Sequence, residues 1–393
     1  MVMALGSHYS STNNMWHGYS ASVQFYDMAN EQLQKESSRI TFASLQARLL
    51  VTHYLLNHSR THEAWSTFGL VVRQVQALGI HRRSPRPPSD HRIGEYRKRL
   101  FWVIYINDRI LSSVFGRPCA IHDNDVDQKE CTLANDEDIT VSECKTVPDG
   151  TFCSAAALIH YARIARIARI LGRILREFYR PAIKNQTISQ LSESAAEFDR
   201  LLNEWQDSLP AYLNYVVLPP LALSVTTHRQ MCTLKLAFAQ ASLLLYRPFI
   251  LYSMETTLRK TAYLEDWVKR CHDKSIAAAN MVVSKCKYLH QRGLFTRALW
   301  LVNYMQFAAI GTLYMYSHLW PGASHVREVA EEARAQLPVG VEGDLVGQRY
   351  VEMLEGLSKA TLSPIEQGLD MGDVVDFDMS NVDLTGPWSN FFF

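Results

Sequence analysis

The chain has 393 residues, 47% of them apolar, and carries 40 Lys and Arg against 39 Asp and Glu. That is ample material for a large core, at a length where one core begins to divide in two. The near-zero balance excludes an overall field that draws the protein to nucleic acid or to a membrane, so charge-based recognition has to be local. The cysteines, at positions 119, 131, 144, 153, 232, 271 and 286, are odd in number and include no Cys-x-x-Cys pair. This usage suits neither a disulfide framework nor a structural zinc site, and it fits a reducing compartment. The first residues lack the basic region and apolar run of a signal peptide, so an intracellular protein without a membrane partner is expected.

Residues 1–38 are rich in Ser, Asn and Tyr; one irregular helix over Val23–Lys35 is expected there, with the rest poorly ordered. Helical periodicity starts at Ile40–Leu56, where Phe42, Leu45, Leu49 and Leu56 share a face. Thr61 is placed to cap the next helix, with Glu63 near its positive end. Ala64, Trp65, Phe68, Val71, Val72, Val75 and Leu78 then recur every three or four residues. Gly79 stops this helix, and Ile80 is placed to fold back onto Val75. Three prolines exclude a helix from His81–Asp90, an exposed basic loop. In it Arg82, Arg83 and Arg86, joined by Arg92 and Arg97–Arg99, make a locally positive surface suited to phosphates or an import receptor. Charge runs of this kind ordinarily only solvate.

The stretch Glu95–Arg109 opens basic and runs apolar from Leu100 to Ile106, the pattern of a helix buried on every side. Gly116 supplies a left-handed stop and Pro118 prevents resumption, so the helix is expected to end at Phe115. Asp108 and Arg109 interrupt the apolar run, and burial penalises such charges unless they are paired. An ion-pair network is expected between Asp108 and one of Arg99, Arg109, Arg117 or Arg247, with a structural rather than a catalytic role. From spacing alone, these features describe a buried helical hairpin.

Their order is more specific. Trp65 to Gly69, Ala77 to Arg82, Arg97 to Trp102, Tyr105, Asp108–Arg109 and Gly116–Arg117–Pro118 form a series that resembles the fungal-specific transcription factor domain, the middle homology region of zinc-cluster regulators. The likeness is dense over Leu45–Asp127, and Leu244–Phe249 looks like a second landmark. The resemblance implies an all-α, irregular multi-helix regulatory domain over residues 39–362 of a nuclear transcription regulator that is not an enzyme. It implies partners among the transcription machinery or co-regulators, with homodimerisation as a further contact. Members of the family carry upstream a six-cysteine cluster that holds two zinc ions and reads DNA; this chain has none. Zinc therefore enters only if such a cluster lies upstream in a longer form, and DNA is reached only through it or through a partner. The other reading the resemblance allows is a cluster-less co-regulator or scaffold.

From His122 to Gly150 the composition turns acidic, and a subdomain boundary is expected over 122–152. Asp123-Asn-Asp-Val-Asp127 has the alternating oxygens of a calcium loop, but Gln128 and Ala134 stand where that loop needs Gly and Glu. It also resembles the aspartate-rich magnesium motif of all-α terpene synthases, without the second motif such an enzyme needs. His62-Glu63 starts a zinc-hydrolase motif that Ser66 breaks, and no phosphate loop or nucleophile elbow occurs.

Ala162–Arg176 is a triplet repeat with Ile164, Ile167, Leu171, Ile174 and Phe178 on one face and Arg163, Arg166, Arg169, Arg173, Arg176 and Arg180 on an adjacent one. A solvated arginine face is the expectation, with an acidic partner, nucleic acid or a membrane surface as alternatives. Further helices are expected over Ile188–Leu202, Leu234–Leu245, Leu264–Leu289, Val326–Leu337 and Tyr350–Leu357. Ala298–Ser317 has no charged side chain, yet Asn303, Gln306 and Gly311 make it a core helix rather than a span. The last segment, 363–393, is expected to be a flexible acidic-aromatic tail. Asp376, Phe377, Asp378, Leu384 and Trp388 in it suit a coactivator groove or, alternatively, docking on the body.

Overall fold

In a computed structural model the protein is described over residues 1–10, 15–36, 40–84, 90–134, 136–146, 156–179, 188–210, 213, 225–258, 266–294, 300–341 and 345–362. The elements are α1 (Val2–Ser10), α2 (Met15–Lys35), α3 (Phe42–Asn57), α4 (Thr61–Ala77), α5 (His91–Phe115) and α6 (Ala156–Phe178). They continue with α7 (Ile188–Asp207), α8 (Val225–Leu258), α9 (Asp266–Gln291), α10 (Trp300–Leu319), α11 (Ser324–Val341) and α12 (Leu345–Ala360). Among the described residues no strand occurs; one isolated bridge joins Ile139 and Cys144. The fold is all-α, as the periodicity predicts. The tail residues Asp376, Phe377, Asp378, Leu384 and Trp388, and Arg86 in the basic loop, lie outside the described residues.

Two predicted helix stops are built as the sequence specifies. Gly79 has φ +62 and Gly116 φ +61, a backbone conformation that side chains with a Cβ rarely adopt. At the end of α4 the Gly79 N–H reaches the Gln76 carbonyl and the Ile80 N–H reaches Val75, closing the last turn twice over. Ile80 is fully buried in that position.

The helix starts depart more from expectation. Thr61 is the first helical residue of α4 rather than its cap; the cap position belongs to Arg60, whose side chain makes no capping bond and instead holds Glu63 through two hydrogen bonds, 2.8 and 2.5 Å. The reciprocal cap occurs one helix earlier, where the Thr41 hydroxyl accepts from the Ser44 N–H and the Thr41 N–H donates to Ser44. Two helices, not one, form within residues 1–38. Ser22 donates to the Ala4 carbonyl, Arg48 to that of Leu33, and Tyr26 stacks on Tyr54 at 4.4 Å. Composition alone conceals these ties because each partner lies on another element.

The chain divides into two compact units. One comprises Met1–Leu111, Pro118–Ala165 and Thr296–Trp300; the other comprises Ser112–Arg117, Arg166–Phe295 and Leu301–Phe393. The acidic stretch from His122 lies inside the first unit, and divisions fall within α5, α6 and α10. In the first unit, α3 and α4 pack as a hairpin that buries Leu45, Leu49, Tyr54 and Leu55 with Ala64, Phe68, Val71 and Val75. Its central helix is α5, with Leu100, Phe101, Trp102, Ile104, Tyr105 and Ile106 all buried.

In the second unit every residue of α10 from Val302 to Met315 is buried, so this helix is enclosed on all sides. Two of its polar side chains donate to carbonyls, Gln306 to Ala333 on α11 and Thr312 to Ala308 one turn back. Among the described residues the helix with the length and composition to cross a membrane is not α10 but α8, over Val225–Ser253, and 72% of that window is buried inside the protein. Helix α8 also continues beyond the predicted end at Leu245, straight through Pro248.

Candidate functional site

The polar residues of α5 gather on one side of the helix and fasten the segment that follows it. Asp108 and Arg109 are both fully buried and paired to each other. The Arg109 guanidinium also donates to the Ile121 carbonyl at 2.9 Å and to Asp123 at 2.7 Å, and it lies 4.2 Å over the Tyr105 ring. Asp108 accepts from the N–H groups of Ala120 and Ile121 at 2.9 and 3.1 Å. Burial pushes the Asp108 carboxyl up, while Arg109 and the two amides oppose it. All its partners are donors, so the ionised carboxylate is the form that fits them. The Tyr105 hydroxyl donates to Asp123 at 2.5 Å, and burial with that neighbouring carboxylate holds its phenol at about 12.

Further along α5 the pattern repeats. Trp102 donates its indole N–H to the Lys129 carbonyl at 2.8 Å. Buried Glu95 accepts from the Thr132 N–H at 2.7 Å and from Lys98, which also reaches the Thr132 hydroxyl. Arg99 reaches Asp136 at 2.5 Å and the Ala134 carbonyl at 3.4 Å. From the end of α4, Gln128 donates to the Ile80 and Arg82 carbonyls, and Asp127 accepts from the Arg83 N–H at 2.7 Å. The polar connection is thus bound to the helical core at almost every second residue from Ala120 to Asp136.

This fastening leaves a cavity of about 250 Å³ in the first unit, lined by Arg99, Trp102, Val103, Glu130, Cys131, Tyr161, Ala162 and Ala165. The lining is mainly apolar. Cys131 presents a thiol that burial pushes up to about 12, a poor nucleophile at neutral pH. Tyr161, 46% exposed, stands at the rim.

Residues 1–207, just over half of the chain, match the family described as the fungal specific transcription factor domain. The chain belongs to that family. A transcriptional regulatory protein of Schizosaccharomyces pombe is 33% identical over 171 residues, covering 44% of this chain and 22% of the relative. A second from the same organism is 23% identical over 361 residues, 88% of this chain and 41% of its own length. "Activator of stress genes 1" of Saccharomyces cerevisiae is 28% identical over 281 residues, 70% of this chain and 28% of the relative. The chain therefore spans between about a fifth and two fifths of these curated relatives. No solved structure matches it.

Within this fungal transcription factor domain the sequence-predicted residues fall into three groups. Phe101, Trp102, Tyr105, Asp108 and Arg109 are buried and meet around the network just described. Trp65, Gly79 and Arg117 are half-buried, and Gly116 and Pro118 are exposed at the turn they make. Of the four arginines considered for Asp108, its own neighbour Arg109 is the partner; Arg99 serves Glu95 and Asp136 instead. Arg82, Arg83, Arg166 and Arg169 are exposed, but Arg163 is buried and leaves the basic face.

The aspartates weighed as a metal motif do not converge in the domain. Asp123 is held by Arg109 and Tyr105, Asp127 by the Arg83 amide, and Asp125 is exposed on a short 3-10 turn, Asp123–Asp125. Glu95, Lys98, Thr132 and Gln128 were not singled out by sequence. Gln128 registers there only as the residue that spoils a calcium loop, whereas its side chain is a clasp between two segments.

Proposed function

We propose that the chain is the regulatory part of a nuclear fungal transcription regulator, working through co-regulators or the transcription machinery rather than by reading DNA itself. The family match over residues 1–207 carries this reading. The Saccharomyces cerevisiae relative is named an activator of stress genes, so activation is the output to test first. The 393 residues contain no Cys-x-x-Cys pair, and sequence-specific DNA contact with its two zinc ions is assigned to a cluster in a longer form or to a partner protein. The second reading is a co-regulator or scaffold that acts by protein–protein contacts. Neither reading gives the chain a reaction. The tail centred on Asp376, Phe377, Asp378, Leu384 and Trp388 is the proposed activating segment, since acidic residues keep such side chains solvated and available to a partner's groove.

Fusing the whole chain, and separately residues Gly368–Phe393, to a heterologous DNA-binding module in a fungal cell tests both assignments. The whole-chain fusion is expected to change reporter output, and a silent fusion overturns the regulatory reading. The tail fusion is expected to activate; a silent one, with alanine at Phe377, Leu384 and Trp388 lowering the melting temperature of the intact chain, makes the tail a structural clasp. A mobility-shift titration of the unfused chain is expected to show weak binding without sequence preference. Nanomolar binding to one sequence over its scrambled control ends the division of labour proposed here.

A further inference from the structure

The cavity beside Trp102 belongs wholly to the first unit, and its lining specifies what it can hold. We propose that it is a binding site for a small, flat, uncharged apolar molecule. Size comes first. An apolar void of roughly 150 Å³ is enough to take a benzene ring, so the about 250 Å³ here suits a fused two-ring molecule. The wall chemistry agrees. Ala162 and Ala165, one turn apart on α6, keep that wall low, and Val103 with the Trp102 ring forms the opposite side on α5. The indole N–H of Trp102 is already committed to Lys129, so the ring offers a ligand its carbon surface.

Charge narrows the class further. The Arg99 guanidinium is neutralised by Asp136 at 2.5 Å and Glu95 at 3.6 Å, which leaves no unanswered positive charge to attract a carboxylate. Glu130, also on the lining, repels one. The Arg99 Nε–H is itself the group that faces the Glu95 carboxylate at 3.6 Å and is enclosed by protein, so it is not offered to a ligand. With its thiol held protonated, Cys131 makes the binding non-covalent.

A matched series of probes on the purified full chain decides the matter: indane, 1-indanone and indane-1-carboxylate, titrated calorimetrically and by thermal shift. Indane is expected to bind and to raise the melting temperature, with the carboxylate weaker by about tenfold or more. 1-Indanone is expected to bind no more tightly than indane. Filling the cavity with Ala162→Phe, or from the opposite side with Val103→Trp, is expected to abolish the shift; each variant counts only if its unliganded melt remains cooperative. No binding of indane up to its solubility limit overturns the proposal. So does a carboxylate that binds as well as indane, or indane that binds equally to both filled variants. Because binding is read on the purified chain, the result is independent of reporter output: a silent fusion with bound indane removes the regulatory reading and leaves the site.

Discussion

The Tyr179 hydroxyl donates to the Leu244 carbonyl at 2.8 Å, across 65 residues of sequence. Leu244 is the residue four before Pro248, and proline has no N–H to close that turn of α8. The phenol therefore supplies the donor that the helix lacks, and α8 continues to Leu258. Burial raises this phenol to about 12, so it remains a donor throughout the neutral range. Tyr179→Phe is expected to cost about 1–3 kcal/mol, the penalty of leaving a buried acceptor unmatched. Pro248→Ala returns the backbone donor, and in that background the same Tyr179→Phe change is expected to cost much less. Urea denaturation of the four proteins measures the coupling; equal costs in both backgrounds mean that the hydroxyl does not replace the missing amide.

Asp108 neutralises a fully buried arginine and receives two amides of the segment after Pro118. Asp108→Asn removes the charge and retains the shape, and breaking a buried pair in this way is expected to cost about 3–5 kcal/mol. Asp123→Asn, at a side chain 22% exposed, is expected to cost less. Hydrogen exchange distinguishes this role from a general loss of packing, because the Ala120 and Ile121 amides are expected to lose protection at denaturant concentrations where α3 and α4 remain protected.

Phe101 and Trp102 are 0% and 3% exposed and pack edge to face at 5.2 Å. Truncating either to alanine is expected to cost about 3–5 kcal/mol and to lower the melting temperature of the first unit. Trp102→Phe retains an aromatic ring but loses the bond to Lys129 and part of the buried surface, so a smaller cost of about 1–3 kcal/mol is expected from it. Melts of purified variants check both. Unchanged melting of Phe101→Ala and Trp102→Ala means that α5 is not the central element of its unit.

Acidification is expected to destabilise the protein before its carboxylates titrate. Burial lowers His160 to about 4 and also lowers His53 and His272. Above the unfolded value of about 6.5 both states are neutral, and the stability of the neutral imidazole is fully present. Between 6.5 and about 4 the unfolded chain takes up a proton that His160 in the folded chain refuses, so stability falls by roughly 1.4 kcal/mol per pH unit for such a group. Urea midpoints at pH 7 and pH 5 are expected to drop accordingly, and His160→Gln is expected to flatten that drop. An unchanged pH slope in the variant places the titrating group elsewhere.

Much of this fold is written in short-range sequence, because its causes are short-range. A left-handed residue ends a helix wherever it occurs, so the stops at Gly79 and Gly116 follow from the chain itself. The apolar periodicity of α3, α4, α7 and α9 is likewise a property of neighbouring residues, and each helix lies close to where it is predicted. Family membership rests on the same local signals, read in order.

What tertiary structure decided is the fate of groups whose partners lie far along the chain. Sequence offered four arginines to Asp108, and only packing could choose, because a buried charge takes the counter-charge that geometry presents. The helix expected over Leu234–Leu245 continues through Pro248, where Tyr179 supplies a donor that no local pattern announces. Arg163 shares its spacing with Arg166 and Arg169 yet is buried, since the width of the covered stripe on a helix depends on what packs against it. The acidic stretch from His122 has the composition of a loose connection. It is fastened instead by Glu95, Arg99, Trp102, Asp108 and Arg109 of α5, whose hydrogen bonds exist only once that helix stands beside it.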